Sequence, residues 1–138
     1  MNIDDSTREK INKIAILLGL DLVVLHGSKA TGVSISQESD VDIAVYRKAE
    51  KLSFKEEIDL ISKFQQLFDE EVDVKQLNNK PLFFYEVMKD AKLLYGNQTI
   101  FDEMYLHAYK QFIDSKSLFE LTKVMQNNRQ KLLSQKYV

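Results

Sequence analysis

From Asp40 to Val45 the chain reads Asp-Val-Asp-Ile-Ala-Val, and this alternation constrains the fold more than any other stretch. Successive side chains of a strand point to opposite faces. Val41, Ile43 and Val45 are therefore predicted to enter a core, while Asp40, Asp42 and Ala44 share the other side. Two carboxylates held that close drive one another toward protonation unless a positive charge lies against them. A bound magnesium ion keeps both ionised and takes their oxygens as ligands, so the pair is read as a cation seat.

Upstream, Asp21-Leu22-Val23-Val24-Leu25-His26 has the character of a buried strand that runs into Gly27-Ser28. A glycine there lets a triphosphate approach the backbone closely. Ser28 offers a hydroxyl and an amide to phosphate oxygens, and the short helix expected to follow adds partial positive charge. Lys29 and Lys75 are lesser candidates for phosphate contacts. A third acid, Asp73, lies in the strand-like run Glu71-Val72-Asp73-Val74 and is the natural additional ligand. Two magnesium ions about 3.5 to 4 Å apart can activate an attacking oxygen and neutralise the leaving one at phosphorus. The chemistry expected is nucleotidyl transfer, with Asp40, Asp42 and Asp73 as metal ligands and Asp73 also drawing the proton from the attacking hydroxyl.

Gly27-Ser28, Asp40-x-Asp42 and Asp73 together resemble the signature of the DNA polymerase beta-type nucleotidyltransferase superfamily, and within it the minimal nucleotidyltransferases of the MntA type. The similarity continues through Val72-Asp73-Val74-Lys75-Gln76-Leu77-Asn78, Pro81, Tyr85-Glu86-Val87-Met88 and Lys92-Leu93-Leu94-Tyr95, and covers most of the chain. It implies an antitoxin that transfers AMP from ATP to a tyrosine of a HEPN-type ribonuclease toxin (HepT-like), forming a hetero-oligomer with it. Two departures stand out. Residues 29–39 separate Gly-Ser from the first acid, one more than is usual, which points to a longer loop over Val33 to Glu38. Gln76 stands where the family commonly has a shorter residue. Loop insertions are usually tolerated, so neither change argues for an inactive enzyme.

At 138 residues with 44% hydrophobic and 29% charged content, the chain is expected to form one domain over 1–138, with a core over about 1–96 and a helical tail over about 98–135. A chain of this size leaves little room for an acceptor-binding domain, which favours a protein substrate. The net charge of -2, from 19 basic and 21 acidic residues with no dense basic stripe, weighs against strong nucleic-acid binding and a template-using polymerase. With no cysteine, no signal pattern and no long apolar run, a cytoplasmic protein without membrane contact is expected.

Along the chain, Ile11, Ile14, Ala15 and Leu18 recur at helical spacing. Ser6 with Glu9 fits a capping box, and Gly19 ends the helix. Ser53-Phe54-Lys55-Glu56 repeats the capping pattern ahead of Ile58, Ile61, Phe64, Leu67 and Phe68. A third strand is expected over Glu71 to Leu77, a helix from Pro81 through Met88, and a short strand over Lys92 to Tyr95. Gln98 to Gln135 lacks glycine and proline and reads as one helix, or two joined near Asp114-Ser115. The result is a mixed α/β domain, a polymerase-beta-like fold with a mixed sheet flanked by helices. His26 reads as a hydrogen-bonded structural histidine and His107 as a helix-surface residue. The tail aromatics Phe101, Tyr105, Tyr109, Phe112, Phe119 and Tyr137 read first as a packing face and second as a docking patch.

Two other functions remain open at this level. One is a binding antitoxin that masks the toxin without catalysis. The other is a transferase acting on a small hydroxylated molecule of the aminoglycoside kind.

Overall fold

The computed structural model describes residues 3–31, 40–77 and 81–137, and for residues 28, 31, 81–83, 136 and 137 only the backbone. The loop expected to carry the extra residue, Val33 to Glu38, lies outside the described residues, as does the side chain of Tyr137. The element order is α1 (Asp5–Leu18), β1 (Leu22–His26), α2 (Ser28–Thr31), β2 (Val41–Tyr46), α3 (Phe54–Phe68), β3 (Val72–Gln76), α4 (Pro81–Met88), β4 (Lys92–Gly96) and α5 (Gln98–Tyr137).

The strands form one mixed sheet in the order β3-β2-β1-β4. β1 runs antiparallel to both β2 and β4, and β2 runs parallel to β3. Apolar side chains of alternate positions separate cleanly onto the two faces. Val23, Leu25, Val41, Ile43, Val45, Val72 and Val74 pack with Ile11 and Ala15 of α1 and Leu60 and Phe64 of α3. On the opposite face, Val24 and Ala44 meet Val87 of α4, and Phe84, Met88 and Ala108 join α4 to α5. The sheet is thus covered on both sides, and Asp42 of β2 lies on the α4/α5 side, as the alternation requires.

Helix entry differs from expectation once. The cap of α1 is Asp4, whose carboxylate accepts from the Thr7 backbone N–H at 2.7 Å, so Ser6 lies inside the helix and the Ser6/Glu9 box is not formed. A charged acceptor two residues earlier satisfies the first free N–H groups and complements the helix dipole, which leaves Ser6 nothing to cap. The second box is present: Ser53 and Glu56 exchange bonds at 3.2 and 3.1 Å. Gly19 ends α1 at φ 65, a left-handed conformation that suits glycine.

Two side chains join the ends of these elements. Arg47, with a side chain only 10% exposed, donates to Glu56 at 2.7 and 3.1 Å, to the carbonyls of Leu18 and Glu50 at 3.0 and 2.9 Å, and to that of Lys51 at 3.3 Å. One guanidinium thereby ties the end of α1, the turn after β2 and the start of α3. Gln76 accepts from Leu52 N–H at 2.7 Å and donates to Leu52 C=O at 3.1 Å and to Glu57 at 2.6 Å. The departure at this position therefore has a structural use, in anchoring the α3 entry to the end of β3.

α5 is a single helix of 40 residues, about 60 Å long at 1.5 Å per residue. Its first part packs on α4: Phe101, Met104 and Tyr105 border the buried Ala108, and Phe112 stacks on Tyr85 with ring centroids 4.3 Å apart. Beyond Ser115 the described side chains are exposed, among them Leu118, Phe119, Leu121, Val124, Met125 and Leu132. The packing-face reading therefore holds for the first half alone. His107 is exposed, with its ring against that of Phe84. Among the described residues no helix is long and apolar enough to cross a membrane.

Two measurements check these anchors. The bonds from Arg47, with those from Ser53, lower the Glu56 carboxyl from 4.5 to about 2. A depressed carboxyl stabilises the folded state above its unfolded value and loses that contribution as pH falls through its folded value. Urea midpoints of the native chain and Glu56→Gln are therefore expected to differ at pH 7, to start converging below about 4.5, and to meet near 2. Gln76→Ala strands the N–H and C=O of Leu52 and is expected to cost about 1–2 kcal/mol in the same assay.

Candidate active site

The site is built by register. β1 and β2 pair His26 with Asp42, and β2 and β3 pair Asp42 with Asp73. Directly paired residues point to the same side of a sheet, so one row across three strands carries an imidazole and two carboxylates. Asp40 precedes β2 and is exposed, and its charge acts on Asp42. Lys75, one alternation beyond Asp73 on the same face, places Nζ 3.5 Å from Asp73 Oδ2.

Gly27 closes this row at the end of β1. Its φ is 73, and a Cβ at that position would run into the Asp42 carboxylate. Glycine is required here twice over, by the left-handed backbone and by the close approach of the acid. Ser28 then opens α2. Lys29, with a side chain 14% exposed, lies 3.6 Å from Glu70, the acid in the turn before β3.

The electrostatics show a negative site with partial compensation. Burial pushes the Asp42 carboxyl above its ordinary value; His26 and Lys75 oppose the rise, and Asp73 and Asp40 add to it. Burial likewise lowers His26, against the pull of Asp42. His26 is buried, and its Nε2 has no hydrogen-bond partner, so the expected hydrogen bond is not formed at this nitrogen. An imidazole paired in register with Asp42 belongs to the site itself. Its position immediately before Gly-Ser was the available signal, but the pairing with Asp42 is a long-range contact that spacing does not reveal.

The three expected acids are not equally gathered. Asp42 and Asp73 are in register, whereas Asp40 sits outside the strand. Among the described residues no group of three or more His, Asp or Glu side chains has closed into a metal-holding cluster. The donor chemistry nevertheless suits a hard divalent cation: the ligands are carboxylate oxygens, and Asp42, raised first by burial and then by its acidic neighbours, would be favoured in its ionised form by a cation. The groove of about 650 Å³ bordered by Arg8, Asp21, Tyr95 and Gln98 lies elsewhere. It sits at the Leu22 end of β1, about 14 Å along the strand from His26.

Comparison with known proteins agrees with this geometry. Residues 9–100 match the family described as polymerase beta, nucleotidyltransferase. No curated protein matches the sequence. A crystal structure of a toxin-antitoxin with AMP-PNP is similar at 25% identity and a TM-score of 0.68, over 86% of this chain and 98% of that chain. A structure of a tri-AMPylated Shewanella oneidensis HEPN toxin in complex with MNT antitoxin is similar at 23% identity and 0.64, over 89% and 99%. The toxin-antitoxin MntA-HepT is similar at 23% and 0.63, over 88% and 99%. At 23% these last two show a shared fold. With two-thirds of its length matched and Asp42 and Asp73 in register beside Gly27, the chain belongs to the polymerase beta-type nucleotidyltransferase family.

Proposed function

We propose that this chain is the antitoxin of a toxin-antitoxin pair and acts as a protein adenylyltransferase. It transfers AMP from ATP to a tyrosine of a cognate HEPN-type ribonuclease toxin and so silences it. The observation that carries the reading is the in-register Asp42–Asp73 pair beside Gly27, in a chain that matches a toxin-antitoxin structure holding AMP-PNP. The chain is taken as a single nucleotidyltransferase domain with a helical tail, working in a hetero-oligomer with its acceptor. A cysteine-free sequence and a need for ATP fit a cytoplasmic setting.

Gly27 and the Ser28 amide receive the triphosphate, with Lys29 as a further contact, and Asp40, Asp42 and Asp73 are the residues that would hold magnesium. When bound, a pair of such ions supplies charge neutralisation at the phosphates and lowers the pKa of the attacking hydroxyl. The tyrosine oxygen forms a bond to the α-phosphorus of ATP. The bond from that phosphorus to its bridging oxygen breaks, and pyrophosphate leaves with the electron pair. Asp73, half-exposed on β3, takes the hydroxyl proton. Buried His26 and half-buried Asp42 set the floor of the site.

Intact-mass analysis of the partner after incubation with this chain, ATP and magnesium is expected to show added AMP units, and Asp40→Asn/Asp42→Asn is expected to add none. An unchanged partner mass with a tight complex would instead favour masking without catalysis. Gly27→Ala is expected to keep the far-ultraviolet circular dichroism of the native chain and lose AMP transfer by about a hundredfold or more, because the new methyl group displaces the Asp42 carboxylate. Transfer at native rates by that variant would show that the close approach is not needed.

A further inference from the structure

We propose that Lys75 is a positioning residue whose ammonium group is the resident counter-charge of the acid row, aiming Asp73 before nucleotide arrives and yielding it to a divalent cation. This rests on the nucleotidyl-transfer reading of the site. The geometry comes from β3, where Asp73 and Lys75 occupy alternate positions on one face. Lys75 pairs in register with Ala44, and Asp73 with Asp42, so the two strands set acid beside acid and lysine beside a small residue. Ala44 is a small, fully buried residue, so no second charged side chain stands beside the lysine at that register position. The ammonium then reaches back to Asp73 Oδ2 at 3.5 Å.

Lys75 does more than decorate the rim. Its charge acts on Asp42 and on His26 as well as on Asp73, so one cation serves the whole row. Both partners are about half exposed, at 48% and 47%, and a pair this open is weak and readily exchanged. An ammonium is a compact point charge with rotatable donors on a flexible stem, which suits a contact that must be given up. A divalent cation bearing twice the charge outcompetes it for the same oxygen. By holding Asp73 and placing positive charge beside the row, the lysine weakens the hold of these carboxylates on the cation.

Competition of this kind has a signature that a structural role would not give. Removing the lysine must tighten cation binding. Titration with Mn2+, followed by loss of the free-ion electron paramagnetic resonance signal, is expected to give Lys75→Met a dissociation constant about three- to tenfold lower than that of the native chain. Lys75→Arg should stay near the native value, since it restores the charge. Lys92→Met, which removes a lysine from the exposed β4 edge, should also stay near it and so controls for net charge. Thermal unfolding of each variant shows whether it is folded, and Lys75→Gln serves in place of Lys75→Met if the latter is not. Unchanged or weaker Mn2+ binding by the folded variant, or no Mn2+ binding by the native chain, would overturn the proposal. Intact-mass assay of the acceptor protein in parallel keeps the two readings separate. Tighter Mn2+ binding without AMP transfer supports the role of Lys75 and overturns the acceptor assignment. AMP transfer without the tightening does the reverse.

Discussion

Everything in this molecule depends on the register between the parallel strands β2 and β3. The period of a strand is two, so a slip of one residue would turn Val41, Ile43 and Val45 toward α4 and push Asp42 into the apolar layer against α1 and α3. Such a slip would desolvate charge and expose apolar surface together. The core therefore enforces the position of the acids: burying the odd-numbered valines and isoleucine on one side fixes the carboxylates on the other. Arg47 and Gln76 extend that control to the strand ends, by fastening the segments that leave β2 and β3 to the start of α3.

The second constraint is that the site gathers carboxylates at a partly buried position. Asp42 is pressed against Gly27 on one strand and faces His26 and Asp73 across the sheet. Burial raises its carboxyl, and the nearby cations only partly answer. Positive charge brought to this row would favour the ionised carboxylates, and a triphosphate accompanied by divalent cations supplies it. The apolar packing on both faces of the sheet holds these groups in place.

Much of this was legible in the sequence because its causes are local. The Asp-x-Asp alternation predicted both the core face and the acid face of β2, and Ser53 with Glu56 predicted the entry of α3. The start of α1 was ambiguous because Asp4, Asp5 and Ser6 are all capping residues and the apolar period begins only at Ile11, so spacing could not choose among them. Whether one helix or two followed Gly96 was equally open. The stretch contains no breaker, and past Ser115 exposed side chains impose no bend, so the helix simply continues. His26 and Gln76 were the least legible. Each is defined by a partner on another element, Asp42 for one and Leu52 with Glu57 for the other, and nothing in their own neighbourhood announces it.

The far half of α5 stands apart from that interdependence. Among the described residues the aromatic contacts that fasten this helix to α4 stop at Phe112, and the described side chains beyond Ser115 are exposed. Substitutions there alter neither strand register nor the balance of charge around Asp42. The chain thus divides into a part whose residues are answerable to one another and a part that is free to drift. A surface in the second part can change its shape and chemistry generation by generation while the carboxylates stay where the core put them.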